Sequence, residues 1–257
     1  MKKYFLLPVV TIMLLGINKS FAQSKVDIGI KGGLSIPNLT SGSSASPINN
    51  GYNSRLGFDA ALQAEFHLSK HFSLQPELEY SQQGGKKDGN QAFAVPDDMV
   101  AQFPAGQVPP YLYADYNSVA KINYLMLPIL AKYRFDIGKH WGAYAAAGPF
   151  VSLVSSAKNV TSGSSNIYLD EQQTEPVTTD PQSFDNTEKI KSDLHSFNTG
   201  VSGHLGINYK LPKGSIFVEG GGNYGLVDIQ KDGTNGKNKT GAAVVNLGYQ
   251  FSLCKHK

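Results

Sequence analysis

The sequence predicts an all-β protein, a single closed antiparallel up-and-down transmembrane β-barrel of about eight strands with long extracellular loops. Three observations predict it. Apolar and polar residues alternate strictly over long stretches, the connections between those stretches are short and long in turn, and the N-terminus has the make-up of an export signal.

Met1-Lys2-Lys3 supply positive charge, residues 4–17 form an apolar run, and Ser20-Phe21-Ala22 put small side chains two residues apart ahead of Gln23. This order predicts a cleaved signal peptide at 1–22 and one outer-membrane barrel domain at 23–257. No cysteine stands near the junction, which excludes a lipid anchor on a new N-terminal Cys, and the sole cysteine, Cys254, can form no internal disulfide. Of 23 Lys plus Arg residues, Lys2, Lys3 and Lys19 fall in the leader, leaving the mature cations equal in number to the 20 Asp plus Glu. A formally neutral chain lacks the basic surface that nucleic-acid binding needs, so nucleic acid is not an expected partner. Charged residues make up 17% of the chain, below the usual share of about 25%. After the leader no apolar run approaches the roughly 18 residues of a membrane helix, so strands must make any crossing.

The first predicted strand covers 25–36. The second, 55–68, shows the clearest pattern. Leu56, Phe58, Ala60, Leu62, Ala64, Phe66 and Leu68 share one face, while Arg55, Gly57, Asp59, Ala61, Gln63, Glu65 and His67 share the other. A strand sends successive side chains to opposite sides, and only surroundings with two chemically different sides keep the two sets apart. The third repeats the rule, with Phe72, Leu74, Pro76, Leu78 and Tyr80 against Ser73, Gln75, Glu77, Glu79 and Ser81. Only Ser69-Lys70-His71 separates these two, which makes them an antiparallel hairpin.

The fourth and fifth strands, 119–135 and 140–154, alternate less cleanly. Leu125, Leu127, Ile129, Ala131 and Tyr133 are assigned to lipid, and Tyr124, Met126, Lys132 and Arg134 to the interior, with the reverse open at Met126 and Leu130. The sixth, 197–211, sets Val201, Leu205 and Ile207 against Ser202, His204 and Asn208; the seventh is 214–229. The eighth, 243–253, sets Val245, Leu247, Tyr249 and Phe251 against Asn246, Gly248, Gln250 and Ser252. Most exceed the roughly 9 to 11 residues a tilted strand needs to cross a bilayer.

Connections at 69–71, 136–139 and 211–213 are short, whereas 37–53, 82–118, 155–192 and 230–240 are long and rich in Ser, Asn, Gly, Asp and Pro. Short inner turns and long outer loops are the habit of outer-membrane barrels. Tyr111, Tyr113 and Tyr116 predict a ribbon protruding above the membrane. Phe66, Phe72, Tyr133, Phe135, Trp141, Tyr209 and Phe217 lie beside the short turns and are assigned to the periplasmic aromatic rim.

Four segments carry a family likeness: Leu74-Gln75-Pro76-Glu77-Leu78-Glu79-Tyr80-Ser81, Tyr124-Leu125-Met126-Leu127-Pro128-Ile129-Leu130, Ala147-Gly148-Pro149 and Val245-Asn246-Leu247-Gly248-Tyr249-Gln250-Phe251. On them the mature chain resembles the PorT-like outer-membrane barrel family of Bacteroidetes. The resemblance implies barrel construction rather than an activity. The family includes a component of a gliding-associated protein secretion system, so an accessory place in such a system is one implication. Where the family usually closes on an assembly-signal aromatic, Ser252-Leu253-Cys254-Lys255-His256-Lys257 follow Phe251 here.

Little in the chain points to catalysis. Gly220-Gly221-Gly222-Asn223-Tyr224-Gly225 fits the dinucleotide pattern, but a turn sequence follows where a helix is required, so the glycines read as relief for strand curvature. The six histidines show no metal-binding spacing and no G-x-S-x-G elbow occurs. No enzyme, cofactor or metal is expected. The inward charges are more informative. Arg55, Asp59, Glu65, Glu77, Glu79, Lys132, Arg134 and Glu219, with Asp27, Lys31 and Lys121, are assigned to a lumen charge network. Eight strands leave room only for side chains, so paired ions are expected to plug the lumen. The expected role is structural or interactive at the cell surface, with a small-solute channel as the alternative. Expected partners are outer-membrane lipid and lipopolysaccharide, the barrel-assembly machinery, and envelope or secretion proteins.

Overall fold

The computed structural model describes residues 26–41, 46–233 and 236–253; the predicted leader, Cys254 and His256 lie outside them. Eight long strands form the wall: β1 (Val26–Ser41), β2 (Gly57–His67), β3 (Phe72–Lys87), β4 (Asn117–Ile137), β5 (Trp141–Ser162), β6 (Phe197–Leu211), β7 (Gly214–Gly225) and β8 (Asn238–Ser252). Each pairs antiparallel with its neighbours in the chain. The seam is β1 against β8, from Asp27 opposite Ser252 to Ser41 opposite Asn238. Closure removes the sheet edge, so ladder hydrogen bonds need no water, which is the condition for strands to sit in hydrocarbon.

Alternation gives the wall its two sides. Leu62, Leu205 and Leu247 stay 57%, 69% and 59% exposed on the outside, while Gln63, Glu65, His204 and Asn246 are buried within. On β4, with Lys121 and Asn123 above and Ile137 below, the outward residues of the belt run from Leu125 to the rim aromatic Phe135. That stretch rises about 33 Å along the strand, or about 25 Å of depth at a tilt near 40°, the height of an apolar membrane belt. Met126 and Leu130 point inward. Beside the short turns the rings of Tyr133 and Phe135 (4.9 Å between centroids), Trp141 and Tyr209 (5.1 Å) and Tyr249 and Phe251 (4.4 Å) pack edge to face as a rim. Phe217 does not join it. Sharing a face with Glu219, it turns inward and packs against Tyr144, in space that Gly248 leaves by lacking a Cβ.

The strands run further than the alternation predicts. β1 continues to Ser41, β3 to Lys87 and β5 to Ser162, and β8 starts at Asn238, whereas β7 stops at Gly225. Above the belt the outer face is wet, so the apolar marking fades while the backbone ladder goes on. Within β7, a Cβ on Gly221 would lie 2.2 Å from the Gly203 carbonyl oxygen; the glycine run allows close strand approach, and no helix follows it.

The second and third outer loops fold together into an ordered head. Asn90–Phe93 pairs with Leu112–Asp115 as a ribbon, and Tyr168 bridges to both Tyr113 and Pro176. Met99, Leu112 and Ile167 form its core, with Phe93, Val95, Phe103, Val177 and Phe184 packed around them. Tyr116 and Phe184 stack at 4.4 Å and 7°.

Candidate functional site

The barrel interior has two tiers. The lower tier, toward the short turns, is ionic. Lys31 on β1 lies between two carboxylates, Nζ at 2.8 Å from Glu77 Oε2 on β3 and 2.7 Å from Glu219 Oε1 on β7. Tyr144 on β5 donates its hydroxyl to Glu219 Oε2 at 2.7 Å. Lys132 on β4 sits over the Tyr144 ring, 4.0 Å from its centroid, and that ring occupies room left by Gly206, where a Cβ would strike it. The Lys132 ammonium donates to Glu65 Oε2 and to Gln75 Oε1, both at 2.9 Å, and Gln75 Nε2 donates to Glu77 Oε1 at 2.6 Å. Lys31, Glu77, Gln75, Lys132, Tyr144 and Glu219 therefore close a ring across the lumen, contributed by five strands.

Glu65 anchors the ring toward the periplasm. It accepts from Ser73 Oγ (2.6 Å), Gln250 Nε2 (2.7 Å) and Lys132, with Arg134 Nη1 at 3.5 Å. His67 Nε2 stands 2.8 Å from Asp27 Oδ2. Below them the lumen opens as a vestibule of about 790 Å³ lined by Asp27, Glu65, Lys132, Arg134, Tyr144 and Gln250 among others. Charges taken out of water are tolerable only when paired and hydrogen-bonded, and this ring meets that condition at nearly every member.

The upper tier is apolar. Leu39, Ile122, Tyr124, Met126, Phe150, Val154 and Ala157 point inward from the wall, and Leu194 and Ile229 enter from two outer loops to complete the cluster, with Tyr52 and Ile190 against it. Backbone bonds fix those loops: Val154 N–H donates to Ser196 O (2.9 Å), His195 N–H to Ile229 O (2.8 Å) and Ile229 N–H to Asn238 O (2.8 Å). The first loop folds in as well, with Asn238 Nδ2 donating to Asn49 O at 3.0 Å and Lys87 Nζ to Ile48 O. Between the tiers Gln83 Nε2 on β3 reaches Asn223 Oδ1 on β7 at 2.8 Å.

Of the residues assigned from sequence, the structure brings Glu65, Glu77, Lys132, Arg134 and Glu219 together, with Lys31 and Asp27. Asp59 is buried close by and accepts from Asn246 Nδ2 at 3.1 Å; the charged neighbours of Glu79 are Asp59, Lys31 and Glu77. Arg55 is a correction. It precedes β2, where the ladder has not begun, and its guanidinium donates to the carbonyls of Leu56 (3.0 Å) and Gln83 (2.6 Å) at the outer rim. Lys121 is another, because it shares the outward register of Leu125. The apolar tier was not foreseen. Its signal was the loss of clean alternation in 122–130; Leu194 stands alone in a polar stretch, and Ile229, which the alternation placed at the end of the seventh strand, lies beyond β7 in a loop. Among the described residues no group of three or more His, Cys, Asp or Glu is arranged to hold a metal ion.

A closed eight-stranded antiparallel barrel with an apolar outer belt and a polar, packed interior is an integral barrel of the outer-membrane type. Residues 21–231 match the outer membrane protein beta-barrel domain family, and the chain belongs to that family. No curated protein matches the chain. Among solved structures, Neisserial surface protein A is similar with a TM-score of 0.39 at 12% identity, covering 88% of this chain and 97% of that one. The attachment invasion locus protein Ail of Yersinia pestis gives 0.36 at 13%, covering 88% and 98%. The outer membrane protease OmpT of Escherichia coli gives 0.32 at 10%, covering 91% and 98%.

Proposed function

We propose that this barrel is a non-enzymatic interaction protein of the cell surface, which works through its folded outer head while its lumen stays shut. The observation that carries the reading is the apolar tier, where Leu194 and Ile229 from the loops seal the mouth above the ionic ring. A path for solutes would need water where these side chains pack. The head supports the same reading, since an ordered core around Leu112 and a Tyr116–Phe184 stack present a fixed shape to a partner rather than a solvated tangle. The PorT-like resemblance favours an envelope or secretion protein as that partner.

Planar-bilayer recording tests the shut lumen. The wild-type protein should give no steady conductance. Steady wild-type conductance would replace this reading with a small-solute channel. Deleting 164–185 should abolish the cellular phenotype of the gene and leave a folded barrel in the membrane; a phenotype unchanged by that deletion would remove the head from the function.

A further inference from the structure

On the outer face of β3, β4 and β5 the wall changes character just above the apolar belt. Asn123 on β4 pairs with Ser156 on β5, but the next pair is Tyr124 with Val154, so Ser155 is an extra residue, a bulge. The bulge inverts the facing of β5 beyond it. Val151 and Leu153 point outward below; above, Ala157 points into the apolar tier and Lys158 points out. Bulges re-aim side chains in this way. Lys158 then lies directly opposite Lys121 on one side and opposite Lys189, from the short strand Asn186–Lys189, on the other.

Three lysines in one cross-strand row repel one another, since directly opposed residues are close neighbours on a sheet face. Among the described residues none of the three has an ion-pair partner within 4.0 Å. Lys86 and Lys191 flank the row, and the five cations with Arg55 line one cleft of about 850 Å³. Leu56 and Val119 add apolar surface to it. Lys121 stands about 10 Å above Leu125, the top of the belt on its strand, at a tilt near 40°. That is headgroup height.

The head above has the opposite sign. Segments 89–116 and 163–185 contain Asp97, Asp98, Asp115, Asp170, Glu171, Glu175, Asp180 and Asp185, and no Lys or Arg, while Asp88 stays at the cleft, paired with Lys86 at 3.0 Å. Charge is thus sorted along the membrane normal, with cations at the lipid surface and acids away from it.

We infer that the Lys121–Lys158–Lys189 row is a docking site for the phosphate groups of an outer-leaflet glycolipid. A phosphate there supplies the counter-charge the row lacks, and acyl chains below it would lie along the apolar belt under Leu125 and Leu153. A soluble polyanion would match the charge but make no use of that continuity, and it would have to approach past the acidic head.

The test uses the full barrel in neutral micelles doped with bis-phosphorylated lipid A, or with the same lipid stripped of phosphate, and measures lipid retained by native mass spectrometry. Wild type should retain the phosphorylated lipid at least about tenfold better than the stripped one, and Lys121→Gln/Lys158→Gln/Lys189→Gln should lose that preference while keeping its heat-shifted folded band. Lys139→Gln/Lys213→Gln on the periplasmic turns should retain lipid as wild type does. Equal retention of both lipids, or undiminished retention by the triple variant, would overturn the site. Should the triple variant fail to fold, wild-type retention against salt decides: it must fall as salt rises, and salt-independent retention overturns the site. Heparin displacing lipid A from wild type in equimolar competition would overturn the lipid as occupant.

Discussion

Lys31 and Glu219 meet across the barrel, Nζ to Oε1 at 2.7 Å, although 188 positions separate them in the chain. The contact joins β1 to β7, which are not neighbours in the wall, so it ties the lumen together rather than one hairpin. Lys31→Ala leaves Glu77 and Glu219 buried without their shared cation and should cost about 3 to 5 kcal/mol. Glu219→Gln keeps the shape and strands less charge, so it should cost less. Denaturant midpoints of the barrel in micelles, compared with a surface control such as Lys139→Ala, check both; equal midpoints for Lys31→Ala and the control would dissolve the ring as a stabilising element.

The lipid-facing register can be probed at Leu62 and Val201, which are 57% and 53% exposed near mid-belt. Arginine at either position should cost about 2 to 4 kcal/mol, falling toward the interfaces. The folded, heat-shifted fraction on gels reads the effect. Unchanged folding of both variants is incompatible with the membrane position of this face.

Trp141 lies at the end of β5 beside Tyr209, in the rim of the short turns. Amphipathic rings settle at the headgroup boundary. Quenching of its fluorescence by brominated lipids should be strongest with bromine near the headgroup and weakest at the bilayer centre, and the reverse order would move the belt.

In the head, Asp170 organises a turn. Slight desolvation pushes its carboxyl up, but the amides of Glu175 and Thr174 and the Thr174 hydroxyl donate into it and hold it below its ordinary value of 3.8. A depressed carboxylate contributes order that is present above the ordinary value and is lost as pH falls through the lower, folded one. The Thr174 and Glu175 amide resonances should therefore titrate with a midpoint below 3.8, and Asp170→Asn should abolish the titration. A midpoint at or above that value contradicts the turn.

The belt was legible because lipid enforces alternation: Leu62, Leu78, Val201 and Leu247 follow from period two alone. Lys31, Gln75, Glu77, Lys132 and Glu219 were legible for the same reason, as polar residues on the other face, but Tyr144, on a strand that alternates poorly, was not, and neither were the partners. Nothing in the spacing of Lys31, Glu77 and Glu219 says they meet, since that depends on how the closed wall brings β1, β3 and β7 around one axis. Lys121 and Phe217 show that a mark of polarity or aromaticity misleads when parity is not followed through, for Lys121 shares parity with Leu125 and Phe217 with Glu219. The apolar tier was hidden because Leu194 and Ile229 belong to loops whose inward path is set by tertiary contacts, and the Ser155 bulge because one inserted residue leaves no local trace.

The seam between β1 and β8 has a consequence for biogenesis. It pairs Asp27 with Ser252, so the first strand to be exported waits for the last before its outer ladder can form. Contacts so distant in sequence carry the greatest loop-closure cost and make folding slow. Until then Ile28, Ile30 and Leu34 are greasy side chains on an unsealed edge in an aqueous compartment, with the same residues of other copies nearby. Exposure of that edge should therefore last as long as delivery of the β8 residues, from Asn238 on, takes.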